Sequence, residues 1–310
     1  MKILFVSSGN GKTGISPIIL NQGESLKEQK IELEYFTIKG KGVKGYFKSI
    51  FMLRKYLKNN SPDIIHSHYS LSAFVASLAG SKPLVVSLMG SDVKSKVWYK
   101  WMIKIFNYLF WQNVIVKSQD MYNDIKINNT YIIPNGINMD RFKPIPKKIA
   151  LNKLGWDSSK KHILFTSSPK RVEKNFKLAK EAYNLLANKN LELHYLENIP
   201  NVDMPFYYNA ADVVLLTSLW EGSPNAIKEA MACNRPIVST DVGDVKQVLT
   251  ETIGCYITEH NSEKISEKIN LALNYSQTKG REQITHLDDI LIAKKIIEIY
   301  KKIINKGNIK

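Results

Sequence analysis

No apolar run in this 310-residue sequence reaches the ~18 residues that a membrane-spanning helix needs. The opening MKILFVSS lacks the basic region, long apolar core and small-residue cleavage site of a secretory signal, so a cytoplasmic chain is expected. Cysteine is scarce. Cys233 and Cys255 have neither metal-ligand spacing nor a secreted context, which makes them reduced structural thiols. There is no internal repeat of solenoid period, no low-complexity tract, and no Asp-x-Asp pair of the kind that would hold a catalytic metal. Acidic residues are absent from two long stretches, 35–62 and 93–119.

A hydrophobic content of 44% over this length suffices for two ordinary domains. The net charge of +16 is unevenly placed: residues 1–146 hold 20 Lys and Arg against 9 Asp and Glu, or +11, leaving +5 for the remainder. Seven basic residues in the first acid-free stretch are interleaved with Tyr46, Phe47, Phe51 and Tyr56. The second contains KSKVWYKWMIKIFNYLFWQN, with Trp98, Trp101, Trp111 and four lysines. Aromatic groups beside lysines on helices 44–58 and 94–111 fit peripheral contact with an anionic membrane, on the inner face for a cytoplasmic chain. A sheet-packed helix with solvated lysines is the other reading. No nucleic-acid motif accompanies the charge, so nucleic acid is not an expected partner.

The most informative stretch is LTSLWEGSPNAIKEAMACNRPIVST, residues 216–240. Val213 to Leu216 is continuous and apolar, as in a parallel-sheet strand covered on both faces. Ser218, Trp220, Glu221, Gly222 and Ser223 follow at the strand's carboxyl end, where open α/β sheets bind ligands. Pro224 suits a helix start, and Ala226, Ile227, Ala230 and Met231 recur at helical spacing until Asn234 and Pro236. Eight helical steps separate Glu221 from Glu229, returning a side chain to within about 80°, so both carboxylates can face one cleft. Two acids near free backbone N–H groups suit a polyhydroxylated ligand that carries phosphate; a capped surface helix with a solvated acidic face is the bland alternative.

EGSPNAIKEAMA, followed by PIVST and DVGDV, resembles the donor-binding signature of the retaining glycosyltransferases of family 4. The resemblance implies the GT-B fold: an α/β protein of two Rossmann-like, doubly wound parallel-sheet domains facing an interdomain cleft, with a C-terminal helix crossing back. It implies that Glu221 contacts the hydroxyls of the transferred sugar and Glu229 the ribose of a nucleotide donor. Gly222, Ser223, Pro224 and Asn225 would lie beside the sugar and phosphates.

Along the chain, residues 2–7 read as a strand, and GNGKTG at 9–14 opens a helix to about Glu28. Gly11, Lys12 and Thr13 end like a P-loop, but the glycine that motif requires would fall at Val6. Gly9, Gly11 and Gly14 do fit a dinucleotide fingerprint, with Glu32 or Glu34 as the ribose acid. In the glycosyltransferase resemblance the same loop, with Gly11 and Gly14, lies near the donor phosphates. Strands at 31–37, 63–66, 84–88 and 113–117 alternate with helices at 46–58, 70–79 and 97–110, which argues for a doubly wound sheet. His66 and His68 sit at a strand end and are expected to contact acceptor; two histidines without a third ligand make no metal site. In LMGSDV, Met89 stands where many family members have histidine, leaving Gly90 and Asp92 as acceptor-side candidates.

IIPNGINMDRF resembles the family's crossing between domains, with prolines and charge at 144–147 marking a linker. The expected domains are an acceptor-binding one at 1–146, a reduced donor-binding one at 147–285, and a helix at 286–310 returning to the first. Arg171 and Lys174, between a strand at 162–166 and a helix containing Phe176, Ala179 and Tyr183, are placed to neutralise a diphosphate. The resemblance thus predicts a metal-independent, retaining hexosyl transfer, without cofactor, from a UDP-linked sugar to a glycan or lipid-linked acceptor in cell-surface polysaccharide or glycolipid synthesis. Alternatives are an NAD-dependent oxidoreductase using the 9–14 loop, and an inactive GT-B scaffold, suggested by Met89. A fluorescence titration with NADH separates the first: the transferase predicts no saturable binding, the oxidoreductase a stoichiometric complex.

Overall fold

A computed structural model describes residues 1–11, 14–40, 42–93, 96–188 and 190–307. The chain divides into two units, Met1–Gly136 with Asp289–Lys310, and Ile137–Asp288. The first unit runs β1 (Lys2–Ser8), α1 (Pro17–Glu28), β2 (Glu32–Ile38), α2 (Gly42–Asn59), β3 (Ile64–His68), α3 (Ser70–Ala79), β4 (Leu84–Ser87), α4 (Val97–Phe110), β5 (Asn113–Val116), α5 (Gln119–Ile125) and β6 (Thr130–Ile132). The second runs α6 (Lys147–Leu154), β7 (Lys161–Phe165), α7 (Phe176–Asn184), β8 (Leu191–Tyr195), α8 (Met204–Ala210), β9 (Val213–Leu216), α9 (Asn225–Ala232), β10 (Ile237–Thr240), α10 (Val245–Leu249), β11 (Cys255–Thr258), α11 (Ser262–Ala272) and α12 (Gly280–Gln283). The last helix, α13 (Asp289–Gly307), belongs to the first unit.

Among the described residues the first unit has a six-stranded sheet in the order β2-β1-β3-β4-β5-β6, every pairing parallel. Ile3, Leu4, Phe5 and Val6 are all fully buried, so β1 is covered on both faces. Alternation sends Ile3 and Phe5 to one face with α1 and α13, and Leu4 and Val6 to the other with α2, α3 and α4. On α13, Ile292, Ile296, Ile299 and Tyr300 recur at helical spacing and supply that first face's cover.

The second unit has, among its described residues, a five-stranded parallel sheet in the order β11-β10-β9-β7-β8. Ile163, Phe165 and Leu215 pack with α7 and α11, while Leu164, Val214 and Leu216 pack with α8, α9 and α10. In both sheets the strand order reverses beside the first strand, between β1 and β3 and between β7 and β9.

The passage between units differs from the sequence expectation of a break at 144–147. Residues 137–146 belong to the second unit: Ile137, Met139 and Phe142 are in its core, and Arg281 donates to the carbonyls of Met139 (2.7 Å) and Phe142 (2.6 Å). The two prolines at 144 and 146 lead into α6, which begins at Lys147, instead. At Gly136 a Cβ would lie 2.6 Å from Asp289 Cα, so the outgoing and returning chain can pass only because this residue is glycine. Ile296→Ala, at a fully buried α13 position, should destabilise by about 2–5 kcal/mol, seen as a lower urea midpoint.

Candidate active site

A parallel sheet opens a crevice at the carboxyl ends of its strands where the strand order reverses. In the second unit that point lies beyond β7 and β9, and two loops meet there. Thr217 Oγ1, just past β9, donates to the carbonyls of Lys174 and Asn175, each at 3.0 Å, and Leu219 N donates to Glu173 O at 2.9 Å. These bonds hold the loops together, so that the Lys174 ammonium donates to Glu221 Oε1, which also accepts from Ser218 Oγ at 2.8 Å. The two side chains are only 13% and 15% exposed, so their charges are partly desolvated and each depends on the other.

Glu221 precedes α9 by four residues, so the helical-spacing argument for a shared carboxylate face does not apply to it. Its neighbour Gly222 is fixed differently: Gly243, at φ +62°, packs so closely that a Cβ would come within 2.7 Å of Gly222 O. Below lies a fully buried ammonium, Lys228, which donates to Ser223 Oγ and lies 3.3 Å from Asp244 Oδ2. Ser223 in turn donates to Asp244 Oδ2 at 2.6 Å. Burial pulls the Lys228 pKa down while Asp244 pulls it back, so one charge pair anchors the loop that carries Gly222 and Ser223.

Glu229 is held from another side. The fully buried Tyr208 of α8 donates to its Oε2 at 2.6 Å. Burial pushes the Glu229 carboxyl up to about 7, opposed by the Tyr208 bond and by Arg141 and Lys228. Asn225 Oδ1 is buried at the start of α9 with no partner among the described residues. Arg171 points away from Glu221: exposed, it bonds Glu173 at 2.8 Å through Nε, and Lys170 pairs with Glu197 at 2.6 Å. The structure therefore joins Lys174 with Glu221 and leaves Arg171 outside the pair. Tyr208, Lys228 and Asp244 gave no signal in the sequence, Lys228 falling off the helix face formed by Ala226, Ile227, Ala230 and Met231.

In the first unit the same reversal lies between β1 and β3. A cavity of about 470 Å³ occurs there, lined in part by Ser8, Tyr69, Ser70, Asp92, Trp98 and Tyr99. Asp92 reaches it, yet its carboxylate accepts backbone N–H bonds from Ser70 (3.2 Å), Met89 (3.0 Å) and Gly90 (3.0 Å), so it organises the turn after β4. Gly90 serves that turn at φ +117°. Tyr69 holds φ +70°, strained for a bulky residue, at the cavity wall.

The two histidines, expected at the acceptor, are core residues instead. His66 is fully buried, with Nδ1 2.5 Å from the Tyr300 hydroxyl and Nε2 2.8 Å from Ser87 Oγ; burial and Lys117 lower its pKa to about 3. His68, also fully buried, stacks on His66 and meets the edge of Phe5 at 4.5 Å; burial and the nearby His66 and Lys117 depress its pKa. Strand alternation puts both on the α13 face, where the returning helix closes over them. Gly11 and Gly14 form a tight turn, Gly14 N to Gly11 O at 3.0 Å, and α1 starts only at Pro17; Lys12 and Thr13 lie outside the described residues. The dinucleotide alternative lacks its ribose acid: Glu32 and Glu34 open β2 instead of ending it, and Glu34 pairs with Lys2 at 2.9 Å and with Tyr56.

On α4, Ile103, Met102, Phe106 and Phe110 pack inward, while Val97, Trp98, Trp101, Ile105, Tyr108 and Leu109 form an exposed stripe. On α2, Phe47 and Phe51 meet edge to face at 5.2 Å and are likewise exposed. Lys94 and Ser95 lie outside the described residues. Among the described residues no helix is long and apolar enough to cross a membrane.

Both units are doubly wound parallel sheets, and the second carries a cation and a carboxylate clasped at its switch point. Residues 171–285 match the family described as glycosyl transferases group 1, and residues 19–141 match glycosyltransferase family 4. The chain belongs to this family of GT-B glycosyltransferases. It is 25% identical over 279 residues to the UDP-Gal:alpha-D-GlcNAc-diphosphoundecaprenol alpha-1,3-galactosyltransferase of Escherichia coli, covering 75% of this chain and 71% of that one. Its fold is similar to sucrose-phosphate synthase from Thermosynechococcus elongatus (TM-score 0.79, 16% identity, 99% and 100% of the two chains). It is also similar to Anabaena Alr3699/HepE in complex with UDP-glucose (TM-score 0.76, 17% identity, 97% and 100%).

Because the Glu229 pKa in the folded chain lies above its unfolded value of 4.5, ionising it costs stability. That cost is absent below about pH 4.5 and complete above about pH 7. Glu229→Gln should therefore gain stability relative to the parent as pH rises across this window, measured by paired urea titrations.

Proposed function

We propose that this glycosyltransferase moves a hexose, with retention, from a UDP-linked donor to a glycan or lipid-linked acceptor in cell-surface polysaccharide or glycolipid synthesis. The observation that carries this reading is the Lys174–Glu221 clasp at the switch point of the second sheet. A diphosphate would draw the ammonium of Lys174, and the released carboxylate of Glu221 would accept hydroxyl bonds from the sugar. Arg171, in an exposed pair with Glu173, is free enough of packing to swing onto the same phosphates. Glu229 would take the ribose hydroxyls, with Asn225 Oδ1 as a further acceptor. The backbone of Gly222, Ser223 and Pro224 would line the sugar and phosphates.

In the reaction the bond from the anomeric carbon to the leaving phosphate oxygen breaks. The acceptor hydroxyl oxygen bonds to that carbon on the same face, and its proton passes to the departing phosphate. Lys174 stabilises the charge that accumulates there, so no metal or other cofactor is needed for the transfer. The acceptor would enter the cavity beside Tyr69 and Asp92 in the first unit. A donor and acceptor of this chemistry are named for the Escherichia coli relative, and a UDP-sugar occupies the Anabaena structure. The apolar stripe of α4 and the aromatic pair of α2, set among lysines, would seat the chain on the anionic inner face of the membrane, where lipid-linked acceptors reside.

Alanine at Glu229 should raise the KM for nucleotide-sugar more than alanine at Glu221; the reverse ranking would refute the two roles. Lys174→Ala should lower kcat by about 100- to 1000-fold in a UDP-hexose transfer assay. Tight nucleotide binding with no turnover on any lipid-linked glycan would instead favour an inactive scaffold. Trp98→Ala with Trp101→Ala should reduce co-sedimentation with anionic vesicles and leave UDP binding intact.

A further inference from the structure

At the end of β7 opposite Lys174, three side chains converge that the transfer reaction does not use. His162, Glu192 and His194 come from β7 and its edge partner β8, with His162 paired to Glu192 and Leu164 to His194 in the parallel register. Glu192 and His194, two residues apart on β8, point to the same face as His162. His162 Nδ1 lies 3.0 Å from His194 Nε2, and Glu192 Oε2 lies 3.7 Å from the first and 3.6 Å from the second. A triangle with those sides has a circumscribed radius of about 2.0 Å, so one point stands at a zinc–ligand bond length from all three donor atoms.

The surroundings hold the donors in a form ready for a cation. His162 Nε2 is 3.0 Å from the carbonyl of Asp157, which can only accept, so the proton sits on Nε2 and Nδ1 presents its lone pair. His162 is fully buried, and the Trp156 indole stacks on the His194 ring at 3.6 Å and 10°, fixing its plane. Lys160 engages the other oxygen of Glu192, leaving Oε2 directed at the histidines. Hydrogen bonding alone accounts for the two rings but not for the carboxylate: at 3.6 and 3.7 Å, Oε2 is beyond bonding distance of either nitrogen.

We propose that His162, Glu192 and His194 bind a zinc ion, with a water in the fourth position. Two imidazoles and a carboxylate form a donor set suited to Zn²⁺, and the 21% and 33% exposure of the His194 and Glu192 side chains leaves one side open to solvent. The ion joins edge strand β8 to β7, a structural clasp separate from the sugar-transfer chemistry. It is independent of the functional reading above.

Metal-stripped full-length protein titrated with Zn²⁺ against a chromophoric chelator should take up one equivalent per chain, with an accompanying rise in Tm. His194→Gln and Glu192→Gln should each weaken uptake by about 100-fold or more, whereas His286→Gln, at an exposed histidine, should bind like the parent. X-ray absorption of the zinc-loaded parent should show two imidazoles and oxygen ligands. Should the variants not fold, Co²⁺ added to the parent provides the second reading, with the visible spectrum of a four-coordinate ion expected. No stoichiometric uptake by the parent, unaltered uptake by His194→Gln, or a purely octahedral Co²⁺ spectrum would overturn the assignment.

Discussion

The clasp between Lys174 and Glu221 rests on strand order. Because β7 and β9 are neighbours in the sheet but are separated by β8 and α8 in the chain, the loops after β7 and β9 emerge side by side. The threonine and leucine bonds from 217 and 219 to residues 173–175 convert that adjacency into a fixed distance between a cation and an acid. Neither charge is well solvated, so each requires an ionic partner whether or not substrate is present. In the proposed reading, an incoming diphosphate sugar would replace both partners at once, with the phosphate taking the ammonium and the hydroxyls the carboxylate.

Around this pair, a layer of packing keeps the loop in place. The Lys228–Ser223–Asp244 network lies beneath it, where breaking either charge would strand the other in a water-free environment. Gly243 lies against the Gly222 carbonyl from the next strand's loop, a contact that leaves no room for a side chain. Tyr208 performs the corresponding task for Glu229, from a helix that makes no other polar contact with the pair's loop among the bonds described. The site is thus assembled from three successive strand ends, and rigidity comes from their mutual packing.

The strand–helix alternation of the first unit was legible because its parallel strands are short, apolar and buried on both faces. α3, Ser70–Ala79, and α4, Val97–Phe110, end where the pattern ends. Short elements without strong periodicity, such as α5, α6 and β11, were not legible. Local reading put the domain break at the prolines of 144–147, since proline and charge mark loops but say nothing about which core Ile137 and Phe142 join. Glu221 and Lys174 stood out through their place after strands, and Glu229 through its helical spacing from Glu221 and the resemblance of the segment around it. His66 and His68 misled for the opposite reason: a strand-end histidine looks available until a helix more than 200 residues later closes over it. The zinc trio escaped notice because its ligands meet only through pairing of β7 with β8, across roughly thirty residues of sequence.

The placement of α13 bears on how the molecule is made. Residues 137–288 form a closed insertion within the first unit, so a ribosome delivers a complete second unit while Ile3, Phe5 and His66 still lack their covering helix. The part synthesised first is therefore finished last. Until Tyr300 and its neighbours dock, the α1-covered face of that sheet lacks the part of its apolar cover that α13 supplies.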